Sequence, residues 1–220
     1  MIILENIPRV FFLGFFLINE IIPKNPFDRI RPIKRTEKKK EIITEDEMRA
    51  LKRAVQHNPK KKALLYILQA TGVRVSECYR WNISDINFKT GEITVYAQKT
   101  DTWRTLFLPK KVLRVLKKYL KDRTDNNPAL FINRYGNRMS KASIQGALQT
   151  LGKKAKLDKH ITVHLFRKTL ATFLADSGMP SEHICYILGH KQYSTTLRYY
   201  IKQSPYKIKD SYLKIASKMP

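Results

Sequence analysis

The sequence predicts a mainly α-helical domain with a small three-stranded antiparallel β-sheet. Apolar residues recur at helical three- and four-residue steps over most of the chain after residue 44, and between Ile83 and Pro109 the period shortens to strand-like alternation. Helix-start residues punctuate the pattern: Thr44 with Glu47 three positions on, Pro109, and Ser140 each precede an amphipathic run.

The charge balance narrows the partner. Lys and Arg number 43 against 18 Asp and Glu in 220 residues, a formal net charge of +25. Such an imbalance opposes compaction by self-repulsion and is rationalised by a polyanion, with nucleic acid the first candidate. A membrane surface is the weaker one, because no stretch approaches the roughly 20 apolar residues that span a bilayer. Cys78 and Cys185 are the only cysteines and form no Cys-x-x-Cys or Cys/His cluster, so neither a disulfide framework nor a zinc site is expected, and a reducing cytoplasm fits.

Residues 10–18 (VFFLGFFLI) are the most apolar run. They lack the cationic start and small-residue cleavage site of a signal peptide, and read as a helix that packs on another surface and ends at Pro23 and Pro26. Residues 29–40 (RIRPIKRTEKKK) carry seven basic side chains and one acidic. They read either as a solvated charged linker or as a strap whose Arg31, Lys34, Arg35, Lys38, Lys39 and Lys40 neutralise DNA phosphates. A domain boundary near residue 40 follows from both.

Thr44 and Glu47 have capping-box form and open a helix with Met48, Leu51 and Val55 apolar, which Asn58-Pro59 ends. A second helix carries Leu64, Leu65, Ile67 and Leu68 and runs into Thr71-Gly72-Val73-Arg74-Val75-Ser76-Glu77. There an Arg sits in a tight turn before a short helix that Ser76 is expected to cap. Its planar fork can hold two phosphate oxygens, or it can simply pair with Glu77. Ile86 and Phe88, then Ile93 and Val95, then Leu106 and Leu108 read as the three strands, joined by turns. Lys99 lies at the tip of the second turn, either solvated or as a mobile proton donor. Pro109 suits the first turn of the next helix, with Val112, Leu113, Leu116 and Leu120 apolar. Ser140 caps another, with Ile144, Leu148 and Leu151 as core.

The most informative stretch runs from His164 to Tyr199, with His164, Arg167, His190 and Tyr199 separated by 3, 23 and 9 residues. A His and an Arg three apart share a helix face and can both donate to one anion. Ser177-Gly178-Met179-Pro180 stops that helix, a short apolar turn from Ile184 to Leu188 follows, and Gly189 reverses the backbone before His190. Ser194 is the expected cap of a last turn carrying Tyr199 and Tyr200.

Taken together, TGVRVSE at 71–77, the hairpin Lys99, HLFRKTLAT at 164–172, LGH at 188–190 and STTLRYY at 194–200 resemble the catalytic domain of the tyrosine recombinases. This is the family of phage integrases and Xer-like chromosome-resolution enzymes, and the likeness spans roughly residues 10–200. It implies the fold of the DNA breaking-rejoining enzymes and a site-specific recombinase or integrase acting on double-stranded DNA without metal or other cofactor. Tyr199 would form a 3′-phosphotyrosine intermediate, and Arg74 and Arg167 would hold the non-bridging oxygens. Lys99 would protonate the 5′ leaving oxygen, His164 would assist proton transfer at the nucleophile, His190 would hydrogen-bond the phosphate, and Glu77 would orient the arginines. Tyr200 is the alternative nucleophile, and Lys89 and Arg104 rival Lys99. The resemblance also implies a homotetramer on DNA, with a monomer in isolation.

The family usually carries a separate core-binding domain that closes around DNA. Residues 1–28 resemble only its last helix and exit, so the chain is organised as this remnant, the 29–40 linker, the catalytic domain at 41–200 and a tail at 201–220. It is read as a fragment, a truncated product or one part of a split integrase. Cys78 stands where the family commonly has an aliphatic residue, a change a buried thiol absorbs. In the tail, Ile208, Tyr212 and Ile215 share a helical face that packs on its own domain or docks on a neighbouring protomer. Two other functions remain open: a non-cleaving DNA-binding remnant, suggested by the charge and the missing clamp, and a topoisomerase using the same chemistry.

Overall fold

The computed structural model describes residues 41–97, 102–189 and 205–220, together with Ile18, Asn19 and Ile21. The chain divides into two compact units, Met1–Lys40 and Glu41–Pro220. The apolar run at 10–18, apart from Ile18, and the six basic residues Arg31, Lys34, Arg35, Lys38, Lys39 and Lys40 lie outside the described residues.

The second unit opens with α1 (Glu45–Ala54), closed at its start by the reciprocal box expected from Thr44 and Glu47. Thr44 N donates to Glu47 Oε2 at 2.8 Å, and Glu47 N donates to Thr44 Oγ1 at 3.3 Å. Asn58-Pro59 acts differently from expectation. It starts α2 (Pro59–Thr71) instead of ending α1, because Asn58 Oδ1 accepts from Lys61 N and Pro59 takes the first helical position, where a missing N–H costs nothing. Leu64, Leu65, Ile67 and Leu68 are all buried on α2, an interior helix with α4 (Lys110–Lys121) packed on one flank and α6 (Val163–Asp176) also against it.

After α2 come the short α3 (Val75–Arg80), a 3-10 turn at Ile83–Asp85, and the predicted sheet: β1 (Ile86–Asn87), β2 (Glu92–Ala97) and β3 (Thr102–Phe107), antiparallel in the order β1-β2-β3. Ile86 faces Ile93, and β2 runs against β3 from Glu92 opposite Phe107 to Ala97 opposite Thr102. The register turns Ile93, Val95, Arg104 and Leu106 inward and leaves Trp103 outward against Tyr96, ring centroids 4.9 Å apart. The hairpin tip with Lys99 lies outside the described residues.

α5 (Lys141–Lys154) is capped by Ser140 as expected and buries Ile144, Leu148 and Leu151. α6 buries Val163, Phe166, Leu170 and Leu174, and α7 (Ser181–Leu188) packs on α6 and β3. The sequence suggested only a turn for Ile184 to Leu188. A full helix forms because Pro180 sets its entry and Gly189, at φ 65°, ends it in the left-handed conformation that lacks a Cβ penalty. Cys78 is buried and its thiol is pushed up to about 12 by desolvation, with Glu77 adding to the shift, which leaves it inert.

The tail helix α8 (Pro205–Ala216) packs on its own domain, against β3. Ile208, Tyr212 and Ala216 are buried, and the Tyr212 hydroxyl donates to the carbonyl of Ala70, one of the last carbonyls of α2. Lys209 Nζ reaches Glu92 Oε1 at 2.9 Å. Among the described residues, no helix is long and apolar enough to cross a membrane.

Replacing Tyr212 by Phe strands the Ala70 carbonyl while keeping the ring's volume. The expected loss is about 1–3 kcal/mol, read as a lower urea midpoint at unchanged slope. A midpoint equal to the native one would mean that the hydroxyl contributes nothing to tail docking.

Candidate active site

The last four carbonyls of any helix lack intrahelical partners, and those of α7 are all taken. Gly189 N donates to Cys185 O and Tyr186 O at 2.8 and 3.1 Å. Arg104 Nε donates to Ile187 O at 3.2 Å, and Arg167 Nη2 donates to Leu188 O. A third guanidinium extends the series: Arg74 Nη2 donates to Gly189 O at 2.9 Å. Three arginines distant in sequence therefore converge on one helix C-terminus, where the helix dipole favours cations.

Each arrives for a local reason. Arg74 is the N-cap residue of α3, with extended backbone (φ −74°, ψ 154°). Ser76, expected to cap that helix, lies inside it. The cap comes instead from Glu77, whose Oε2 accepts from Arg74 N at 2.8 Å. Gly72, at φ 54°, ends α2 and lets Val73-Arg74 turn back; a Cβ there would stand 2.9 Å from Leu170 Cδ2 and 3.1 Å from Leu188 Cδ2. Arg167 falls within the apolar stripe of α6 and is buried. An interior guanidinium must be hydrogen-bonded, and Arg167 Nη1 also donates to Gly72 O at 3.1 Å.

Glu77 binds two of the arginines. It is 4% exposed and forms a bidentate pair with Arg104, Nη1 to Oε1 at 3.1 Å and Nη2 to Oε2 at 2.9 Å, while Arg74 Nη1 reaches Oε1 at 3.0 Å. Burial alone would raise the Glu77 carboxyl. The hydrogen bonds and charge of Arg104, then the Arg74 backbone N–H and charge, outweigh it and hold the group below the usual glutamate range. Arg104 was expected only as a rival to Lys99 for the proton-donor role. At 7% exposure and fixed by a carboxylate and a carbonyl it is no mobile donor; it positions Glu77 and the end of α7. Lys89, the other rival, is exposed in the β1–β2 turn. Strand alternation carries this inward placement: Arg104 lies in phase with Leu106 and Leu108, so its charge has to face the core.

His164 opens the first turn of α6 and is exposed although Arg167, three residues on, is buried. Partial desolvation, then Lys168 and Arg167, lower its pKa, which favours a neutral imidazole able to accept a proton. Lys99, His190, Tyr199 and Tyr200 lie outside the described residues, as do Tyr193 and Ser194. The described residues thus bring Arg74, Glu77 and Arg167 together at the C-terminal end of α7, with Gly189 among them and residue 190 next in the chain. Among them no group of His, Cys, Asp and Glu could hold a metal ion.

This architecture, a mainly helical domain with a three-stranded sheet and an arginine pocket, is a tyrosine recombinase catalytic domain. Residues 41–206 match the phage integrase family, and the chain belongs to it. Tyrosine recombinase XerA of Pyrococcus furiosus is 32% identical over 161 residues, covering 71% of this chain and 56% of that protein. XerD of Oceanobacillus iheyensis is 32% identical over 208 residues, covering 90% and 69%. A crystal structure of XerA recombinase superposes with a TM-score of 0.65 at 27% identity, over 79% of this chain and 66% of that one. The chain thus spans little more than half the length of the Pyrococcus protein.

Glu77→Gln leaves Arg104 buried without its counter-charge, and the expected cost is about 3–5 kcal/mol in urea unfolding. Because the folded pKa of Glu77 is lowered, its contribution is complete above the ordinary glutamate range and disappears as pH falls through the folded value. The native protein should lose stability on acidification below about pH 4, and Glu77→Gln should flatten that slope; parallel slopes would contradict the assignment.

Gly189→Ala forces a left-handed backbone and sets a Cβ 2.8 Å from Arg104 Nη1. It should cost about 1–3 kcal/mol for the backbone alone. A thermal midpoint within error of native would show that this turn tolerates a side chain.

Proposed function

We propose that this chain cuts and rejoins double-stranded DNA at specific sites, as a recombinase or integrase. The observation that carries the reading is the convergence of Arg74 and Arg167 on the turn immediately before residue 190, within a domain of this family. Arg74, with a third of its side chain exposed, would face the phosphate directly, and Arg167 would supply the buried charge beside it. Both would stand where a pentacoordinate phosphorus accumulates negative charge. Tyr199 would attack phosphorus through its phenolic oxygen, forming a 3′-phosphotyrosine bond as the P–O5′ bond breaks. His164 would take the phenolic proton, Lys99 would give one to the 5′ oxygen, and His190 would hydrogen-bond a non-bridging oxygen. Reversal by a different 5′ hydroxyl completes strand exchange.

Exchange of both strands between two duplexes needs four cleavages, each using one tyrosine, so the assembly read for the chain is a homotetramer on DNA. The two cysteines are free, in keeping with a cytoplasmic setting. The further parts of the chain are a core-binding remnant at 1–28, a linker at 29–40 whose Arg31, Lys34, Arg35, Lys38, Lys39 and Lys40 would neutralise DNA phosphates, and the tail at 201–220.

The test uses a nicked suicide duplex carrying a candidate site, in the presence of EDTA, with a denaturing gel to detect a protein–DNA adduct. An adduct that Tyr199→Phe abolishes and Tyr200→Phe preserves is expected, and Arg167→Ala should slow its formation by at least about a hundredfold. No adduct, with salt-sensitive binding intact, would leave a DNA-binding remnant; relaxation of supercoils without site preference would indicate a topoisomerase.

A further inference from the structure

A second concentration of positive charge lies away from the arginine pocket. A groove of about 620 Å³ between α2 and α4 is lined by Lys62, Lys111, Arg114 and Lys118, with Tyr66 in its wall and no carboxylate among its lining residues. Lys111, Arg114 and Lys118 are exposed. None of these four cations is ion-paired to a described residue, although other surface cations such as Arg49, Lys159 and Lys209 are. The groove flanks the N-terminal half of α2, whereas Arg74 follows its C-terminus; Lys62 and Gly72 are separated by about 15 Å along the helix axis.

The spacing of the charges points to the ligand. Lys111, Arg114 and Lys118 stand at i, i+3 and i+7, one face of α4, and cover about 10 Å of axis. One strand of duplex DNA presents a phosphate roughly every 3.4 Å of duplex axis, so a row of this length laid along that axis spans about three phosphates. Lys52 and Lys111 approach the same Tyr66 ring, at 4.9 and 5.8 Å from its centroid. Burial and then the charge of Lys111 lower the Lys52 ammonium to about 8. The Lys52 ammonium donates to the Pro220 oxygen, whereas Lys111 and its neighbours in the groove have no carboxylate among the lining residues, and their charge would be relieved by an anion. Protein–protein interfaces are depleted in lysine and in charge at their centre, whereas DNA interfaces are strongly positive.

We infer that this groove is a second nucleic-acid contact, holding the phosphodiester backbone of a stretch of duplex other than the one at the arginine pocket. The inference shares with the proposed function only the choice of DNA as partner. Tyr66 and Lys111 also line the cleft beneath α8, with Leu213 and Ala216, so the groove and the seat of the tail share a wall.

The experiment compares the native chain with the triple variant Lys111→Gln, Arg114→Gln, Lys118→Gln, measuring affinity for a long duplex over a range of salt concentrations. Each phosphate contact contributes about 0.9 to the slope of log affinity against log salt, so the variant's slope should be shallower by about 2–3. An unchanged slope overturns the inference. So does a variant that keeps its DNA slope while losing affinity for poly-glutamate, which would assign the groove to an acidic protein. On the native chain, a bound duplex should slow acetylation of Lys111 and Lys118 several-fold; no protection overturns the inference independently of how the variant folds. Adduct formation at Tyr199 is scored separately, and its failure would defeat the strand-cutting reading while leaving the slope and the protection standing.

Discussion

The pocket depends on the C-terminus of α7. Its carbonyls lie in the interior, where unpaired backbone oxygens are costly, and Arg104, Arg167 and Arg74 take those of residues 187, 188 and 189 in turn. Three guanidinium groups at one point repel each other, and Glu77 offsets that repulsion by binding two of them. The arrangement holds Arg74 and Arg167 in position before any anion arrives, so the field is already oriented when charge develops. Much of the chain then serves to bring one helix end to three arginines: the turn between α2 and α3 delivers Arg74, β3 delivers Arg104, and α6 delivers Arg167.

The last turn of α2 has a second tie. Its Ala70 carbonyl accepts the Tyr212 hydroxyl of the docked tail, four residues before Arg74. The tail is therefore anchored to the same stretch of backbone that sets the direction of the first pocket arginine. Two residues further along, the Gly72 carbonyl is bound by Arg167.

Much of the fold was legible from the order of residues. The Thr44–Glu47 box, Ser140, the 83–109 alternation and the apolar stripes of α2 and α5 rest on local periodicities that burial in the finished domain reinforces. Where local signals compete, residue order does not decide between them. Asn58-Pro59 is both a helix stop and a helix start, and only the side-chain bond to Lys61 N separates them. Ser76 is an ordinary cap residue, yet the buried Glu77 carboxylate accepts from the Arg74 N–H. The segment 184–188 was too short and too apolar for periodicity to distinguish a turn from a helix.

By itself the sequence determined the helical and strand periods, the positive charge, and the motif set that marks the family, because these depend on residue type and spacing along the chain. Only the tertiary structure decided that Arg104 belongs to the pocket, that His164 is exposed while Arg167 is buried, and that the tail rests on its own domain. Those outcomes depend on which distant backbone atoms need a partner: a buried carbonyl at 187, 188 or 189 becomes a requirement for an arginine only after α7 has been packed against α6 and β3.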